Sequence, residues 1–206
     1  MPKVALPQDF LVDFSFNSLA FDRTKNITRE DVEAVYNNEL DKVNKEKALI
    51  ISNHKKALEF IINLVNEGKD LTEDLLKDTH QILFESITEG GLYRNVDIRV
   101  NHSRHIPPTY LKVYDRMKKL FETINEPTED PLYLAVYAHL QLYKIHPFLD
   151  GNGRLARLVL NYILLKNELS PIIFKSDNHK EYFDYMEEFK VNKDIEPFLK
   201  LTKSLI

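Results

Sequence analysis

The chain has 206 residues, no cysteine, 43% hydrophobic and 29% charged residues, and a formal net charge of -4. That length suits one domain with a real core, and the absence of cysteine excludes disulfides and thiolate metal sites. The acidic balance lacks the basic footprint of a nucleic-acid binder. Residues 1–14 contain Asp9 and Asp13 and no apolar run of signal-peptide length, and no stretch elsewhere reaches a bilayer span. The expectation is a soluble, cytoplasmic protein with neither membrane nor nucleic acid as partner.

Taken in chain order, almost everything reads as helix. Thr28-Arg-Glu-Asp31 has capping-box spacing, in which a hydroxyl and a carboxylate satisfy the orphan amides of a helix start. A long helix follows over roughly 46–66, with Ala57, Leu58, Ile61, Ile62 and Val65 at helical spacing, stopped by Gly68. Leu71-Thr72-Glu-Asp opens the next helix, which carries Leu75, Leu76, His80 and Leu83. Asn95-Val-Asp-Ile-Arg-Val100 then alternates apolar and polar residues, which predicts a short β-hairpin or extended flap over 96–106. Pro107 and Pro108 cannot donate to a ladder and should end any pairing. Further helices are expected over 110–125 and 130–144, with the breaker stretch Glu126-Pro-Thr-Glu between them. Another carries Leu155, Leu158, Val159, Tyr162 and Ile163 on one stripe, and two short helices over 179–190 and 195–203 finish the chain.

Glycine is scarce. Two of only five glycines, Gly151 and Gly153, flank Asn152, and Gly90 and Gly91 precede the flap. A helix-rich chain this sparing of glycine uses it where the backbone needs unusual angles or close approach. Asp150-Gly-Asn-Gly153 predicts a tight turn into a helix whose amides and dipole favour an anion. Arg154 and Arg157, three residues apart, share one face of the first turn, and arginine forks suit phosphate. Asp150 supplies a carboxylate of the kind Mg²⁺ takes beside phosphate oxygens. His146, just ahead of the turn, could act as general base on a hydroxyl. Singly, each of these residues reads more readily as core, surface or loop; together they point to attack on a phosphate. His102 and His105 have metal-like spacing but no third ligand, and Tyr133, Tyr137 and Tyr143 read as packing residues.

The stretch His146-Pro-Phe-Leu-Asp-Gly-Asn-Gly-Arg-Leu-Ala-Arg157 matches every fixed position of the Fic family signature, HPFx(D/E)GNGRxxR. Gly91-Leu-Tyr-Arg94, Arg104-His-Ile-Pro-Pro108 and Glu181-Tyr-Phe-Asp-Tyr185 also resemble family segments, so the likeness runs from about residue 18 to the end. It implies an all-α, Fic-type helical bundle with a short β-hairpin flap, residues 28–206 forming the domain and 1–27 an N-terminal arm. It further implies a protein adenylyltransferase that moves AMP from Mg-ATP to a serine, threonine or tyrosine hydroxyl of a target protein.

In that family pattern His146 is the base, and Asp150 holds Mg²⁺. Gly151, Asn152 and Gly153 cradle the phosphates, with Asn152 on the α-phosphate, and Arg154 and Arg157 hold the outer ones. Tyr182 and Phe183 line the base pocket. The flap, with Val100, His102, Ser103, Arg104, His105 and Ile106, pins the target by strand-like pairing. The resemblance also admits a homodimer.

Two departures bear on regulation and on the nucleotide. Many family members carry an inhibitory motif of Ser or Thr, three residues, Glu, then Gly or Asn; here Ser18-Leu-Ala-Phe-Asp22-Arg23 keeps the serine, replaces glutamate with aspartate and adds a competing arginine. Inhibition weakened or lost is one reading, and Asn17-Ser18 merely capping a short helix is the other. Lys190 stands where the family often has asparagine near the adenine. Competing functions are a Fic-fold enzyme that uses another donor or removes AMP, and a regulatory module that binds nucleotide without turnover.

Overall fold

The computed structural model describes residues 3–21 and 26–206. Asp22 and Arg23, the altered positions of the inhibitory motif, lie outside the described residues. The helices are α1 (Gln8–Ala20), α2 (Arg29–Tyr36), α3 (Lys45–Asn66), α4 (Glu73–Leu83), α5 (Val113–Ile124), α6 (Pro131–Ile145), α7 (Asn152–Lys166), α8 (His179–Asn192) and α9 (Glu196–Lys203). The fold is all-α. Among the described residues no helix is long and apolar enough to cross a membrane.

Local chemistry sets the helix starts. Thr28 and Asp31 form the reciprocal capping box, Thr28 Oγ1 accepting from the Asp31 amide and Asp31 from the Thr28 amide. Thr72 caps α4 through the Leu75 amide, and Asp130 caps α6 ahead of Pro131, whose missing N–H costs nothing at a first helical position. The long α3 begins at Asn44, whose side chain accepts from the Glu46 amide.

Helices α6 and α7 form the central antiparallel pair, with α1, α3, α5, α8 and α9 packed on one or the other and α4 held against α3 and α5. Leu155, Ala156, Leu158, Val159, Leu160, Ile163 and Leu164 are all buried, so α7 is apolar on nearly every side, more than the single stripe expected. A second, smaller cluster joins Val12 and Leu19 of α1 to Val32 and Val35 of α2 and Ile51 of α3. Helix α1 also reaches the motif helix, where Ser18 meets Arg157. Asn17 and Ser18 lie inside α1 and do not cap it: Asn17 donates to the Asp13 carbonyl and accepts from the Ser176 amide.

Residues 95–108 take the extended alternative. Among the described residues no β ladder forms, so the hairpin expectation gives way to an irregular flap. Its amides find partners outside a ladder: Arg104 and His105 donate to the Glu187 carboxylate of α8. Arg94, buried at the flap's base, ties its two ends by donating to the Val96 and Pro108 carbonyls.

Candidate active site

Chain reversal between α6 and α7 is made by residues 146–151. His146 ends α6 in the left-handed region (φ 52°), its amide bonded to the Leu142 carbonyl. Pro147 and Phe148 turn inward, and the fully buried Phe148 ring stacks on His80 at 3.7 Å. Gly151 precedes α7 with φ +76°, and a Cβ there would lie 2.6 Å from the Phe84 ring. At Gly153 a Cβ would collide with the Tyr143 hydroxyl. Both glycines are required by the backbone path and the close packing behind it.

Hydrogen bonds fix this loop from within. The Asn152 side chain accepts from the Phe148 amide (3.0 Å) and donates to the Phe148 carbonyl (2.9 Å), closing the turn on itself. Its amide group is thus engaged with the loop, and what it turns toward an anion is the unpaired backbone of the first turn of α7. His80 Nδ1 accepts from the Gly91 amide, so Nε2 carries the proton and donates to the Asp150 carbonyl at 3.0 Å. Burial pushes the His80 pKa down to about 4, which keeps that tautomer neutral. Arg94 donates from Nε to the His146 carbonyl and from its amide to the Pro147 carbonyl, coupling the flap's base to the loop. The sequence pointed to neither His80 nor Glu187 as a site residue; Arg94 appeared only within a resembling stretch.

The loop opens on a cleft of about 550 Å³, walled by Asp150 to Arg154, His146, Tyr143, Phe183 and the flap residue Val100. Burial, then the nearby Arg94 and Lys190 charges, push the His146 pKa down to about 4 against the Tyr143 backbone, leaving a neutral imidazole with Nδ1 buried and without a hydrogen bond. Asp150 is exposed: one carboxylate oxygen accepts from the Gly151 amide at 2.6 Å, and the other pairs with Arg154 at 3.3 Å. The Arg154 guanidinium lies over the Phe84 ring. One exposed carboxylate at the mouth of an anion cradle fits Mg²⁺, which takes few protein ligands when phosphate oxygens complete its shell. Among the described residues no cluster of three histidine, cysteine or acidic side chains could hold a metal ion. The His105 ring donates to the Lys144 carbonyl.

Arg157 sits behind the cradle, almost fully buried. Its Nε donates to Ser18 Oγ at 3.1 Å, its Nη2 to the Ser18 carbonyl at 2.6 Å and its Nη1 to the Tyr143 hydroxyl at 3.0 Å, while Phe21 lies under the guanidinium. Ser18, left open between an inhibitory role and a helix cap, thus contacts Arg157 and lines the cleft, and Tyr143, expected to be a packing residue, lines it too. Tyr182 does not line the cleft: it is buried, its hydroxyl 2.9 Å from His139 Nε2 and accepting from Arg157 Nη1 at 3.4 Å, and of that pair Phe183 faces the cleft. Lys190 pairs with Glu187 at 2.8 Å and donates to Ser103 Oγ, away from the cleft lining. The flap residues divide: Val100 faces this cleft, Ser103 and Arg104 are tied to Glu187, His105 and Ile106 line a separate cleft, and His102 is exposed.

The family model described as the Fic/DOC family matches residues 70–164. The chain is 28% identical over 151 residues to a protein adenylyltransferase Fic of Nematostella vectensis, and 30% identical over 142 residues to protein adenylyltransferase fic-1 of Caenorhabditis elegans. These alignments take in 70% and 66% of this chain but 35% and 27% of the relatives, so the chain spans about a third or less of their length. A crystal structure of a Fic domain containing signaling protein from Bacteroides thetaiotaomicron superposes with TM-score 0.84 at 20% identity, covering 96% of this chain and 82% of that one. The motif loop lies inside the segment that the Fic/DOC family model matches, residues 70–164, and the superposition shows that the chain shares the fold of a Fic domain.

Proposed function

We propose that this chain is a protein adenylyltransferase that moves AMP from Mg-ATP to a hydroxyl side chain of another protein. The observation that carries the reading is the convergence on one cleft of a neutral imidazole, His146, and the first-turn amides of α7. His146 takes the proton of the incoming hydroxyl as its oxygen bonds to the α-phosphorus. The bond from that phosphorus to the bridging oxygen breaks, and pyrophosphate leaves. Mg²⁺ held by Asp150 would supply charge neutralisation of the phosphates. The amides of Asn152 and Gly153 stabilise the equatorial oxygens, and Arg154 the outer phosphates. Phe183 offers an apolar wall to the base, and Val100 of the flap the edge along which a target backbone can lie.

Arg157 is the second element of the reading. Its donors are occupied by Ser18 of α1, so a γ-phosphate must displace that contact to reach them. Ser18, together with Asp22 just beyond α1, is proposed as an inhibitory element that lowers activity without abolishing it. A Fic-fold enzyme using another nucleotide donor shares all of this geometry; a binding-only module has no use for His146.

Incubation with Mg-ATP, with and without lysate, followed by intact-mass analysis tests the proposal. An AMP-sized mass gain that is absent in His146→Ala supports it, and a larger gain in Asp22→Gly or Ser18→Ala supports the inhibitory role. Mass gains that persist in His146→Ala would sink the assignment of the base.

A further inference from the structure

On the far side of the flap lies a second cleft, of about 610 Å³. Three cations line it from three separate elements: Arg116 of α5, Lys144 of α6 and Lys193 just past α8. No carboxylate lines it, although the chain as a whole is acidic. Among the described residues none of the three cations is in an ion pair. Burial and the fields of Lys193 and Arg116 hold the Lys144 pKa below its ordinary value, as expected where like charges face one another without a counterion. Glu187, behind the flap wall, is already bonded to Lys190 and to the flap amides.

The remaining wall is apolar and aromatic. Tyr133 is 42% exposed, and Tyr137, Phe189 and Ile106 border the same space. The C-terminal turns of α6 and α8 and the Ile195 cap of α9 all border the cleft, so helix dipoles of both signs meet there and build no compact phosphate cradle. Three flexible cationic arms around an aromatic floor instead suit separated carboxylates with an apolar side chain between them. One wall is the flap itself: His105 and Ile106 face this cleft while Val100 faces the catalytic one. A chain crossing the flap can therefore enter both clefts at once.

We infer that this cleft docks an acidic stretch, bearing an aromatic or aliphatic side chain, of the protein whose hydroxyl is modified, and so contributes to target choice through Arg116, Lys144 and Lys193. The inference rests on the proposed transfer to a protein hydroxyl.

The test uses the full chain and a short fluorescein-labelled peptide of glutamates flanking one phenylalanine, read by anisotropy at low salt. Saturable binding is expected, weakened on the order of tenfold by each of Arg116→Glu, Lys144→Glu and Lys193→Glu, and unchanged by saturating Mg-ATP. Thermal melting checks that the three variants remain folded, and Lys144→Gln, which removes charge without reversing it, should fall between wild type and Lys144→Glu. Absence of binding overturns the inference, as does binding indifferent to the charge reversals. Displacement by Mg-ATP or inorganic phosphate would reassign the cleft to a phosphate ligand. Capture of phosphatidylserine vesicles, with no peptide binding, would reassign it to a lipid surface. Peptide binding without AMP transfer in the mass assay would sink the functional reading alone; AMP transfer without peptide binding would sink the docking groove alone.

Discussion

The motif loop and the flap face one another across a single cleft, yet they are held in opposite ways. Residues 146–153 are fixed from beneath by buried partners: Phe148 on His80, Asn152 on the Phe148 backbone, and Gly151 against Phe84. Residues 95–108 bury little of their own: Pro107 is buried and the His105 ring meets the Lys144 carbonyl, but the rest is exposed or half-buried. They hang from Arg94 at the base and from Glu187 near the tip, with Val96 and Ile106 exposed. The contrast fits a division of labour in which phosphate binding needs donors preset to within a fraction of an ångström, whereas a surface for varied backbones needs to yield.

The largest effect expected on the rigid side is acid sensitivity. Burial lowers the pKa of His54 and His139 to about 3 and of His80 and His146 to about 4, while unfolded histidine titrates near 6.5. The unfolded chain therefore takes up protons first, so this stability is present above pH 6.5 and is lost as pH falls toward the folded values. Denaturant melts at pH 7 and pH 5 should differ by up to roughly 2 kcal/mol for each histidine. Equal stability at the two pH values would mean that these rings are not buried and neutral.

Gly151→Ala should come next, at about 2–4 kcal/mol, because a left-handed residue gains a Cβ against the Phe84 ring. Asn152→Ala, which leaves the Phe148 amide and carbonyl without their partner, should cost about 1–3 kcal/mol and reduce nucleotide binding with it. Thermal melts of the two variants check both; a neutral Asn152→Ala would show that the loop is held by packing alone.

Glu187→Ala should act on the flap, freeing the Arg104 and His105 amides, and should also cost stability by leaving the buried Lys190 without its carboxylate. Partial burial pushes this carboxyl up, but bonds from Lys190, Ser103 and the Arg104 amide outweigh it and hold its pKa at about 2. Hydrogen exchange at the Arg104 and His105 amides should accelerate on the order of tenfold, with exchange in 146–153 unmoved. Equal acceleration in both segments would erase the distinction between preset loop and tethered flap.

The same distinction governs what could be read from the sequence. Caps at Thr28, Thr72 and Asp130 act within a few residues, and the motif gathers His146, Asp150 and the Gly151–Arg154 turn within twelve, so the grouping of these residues on one loop could be read in order along the chain. Alternation in 95–100 was a weaker guide: period-two patterning marks an extended backbone but does not supply a pairing partner, and here a carboxylate takes that place. Contacts between distant positions were hidden, as with Ser103 to Glu187, Arg157 to Tyr143, and the three cations that meet in the second cleft. Tyr182 shows the limit of a resembling segment, since one helical position separates a cleft wall from the core.

The most direct measurement of the central claim is label transfer onto protein from ATP labelled either at the α- or at the γ-phosphate, with wild type and His146→Ala side by side. The account predicts incorporation from the α-label only, lost in His146→Ala. Incorporation from the γ-label, or α-label transfer indifferent to His146, would contradict it.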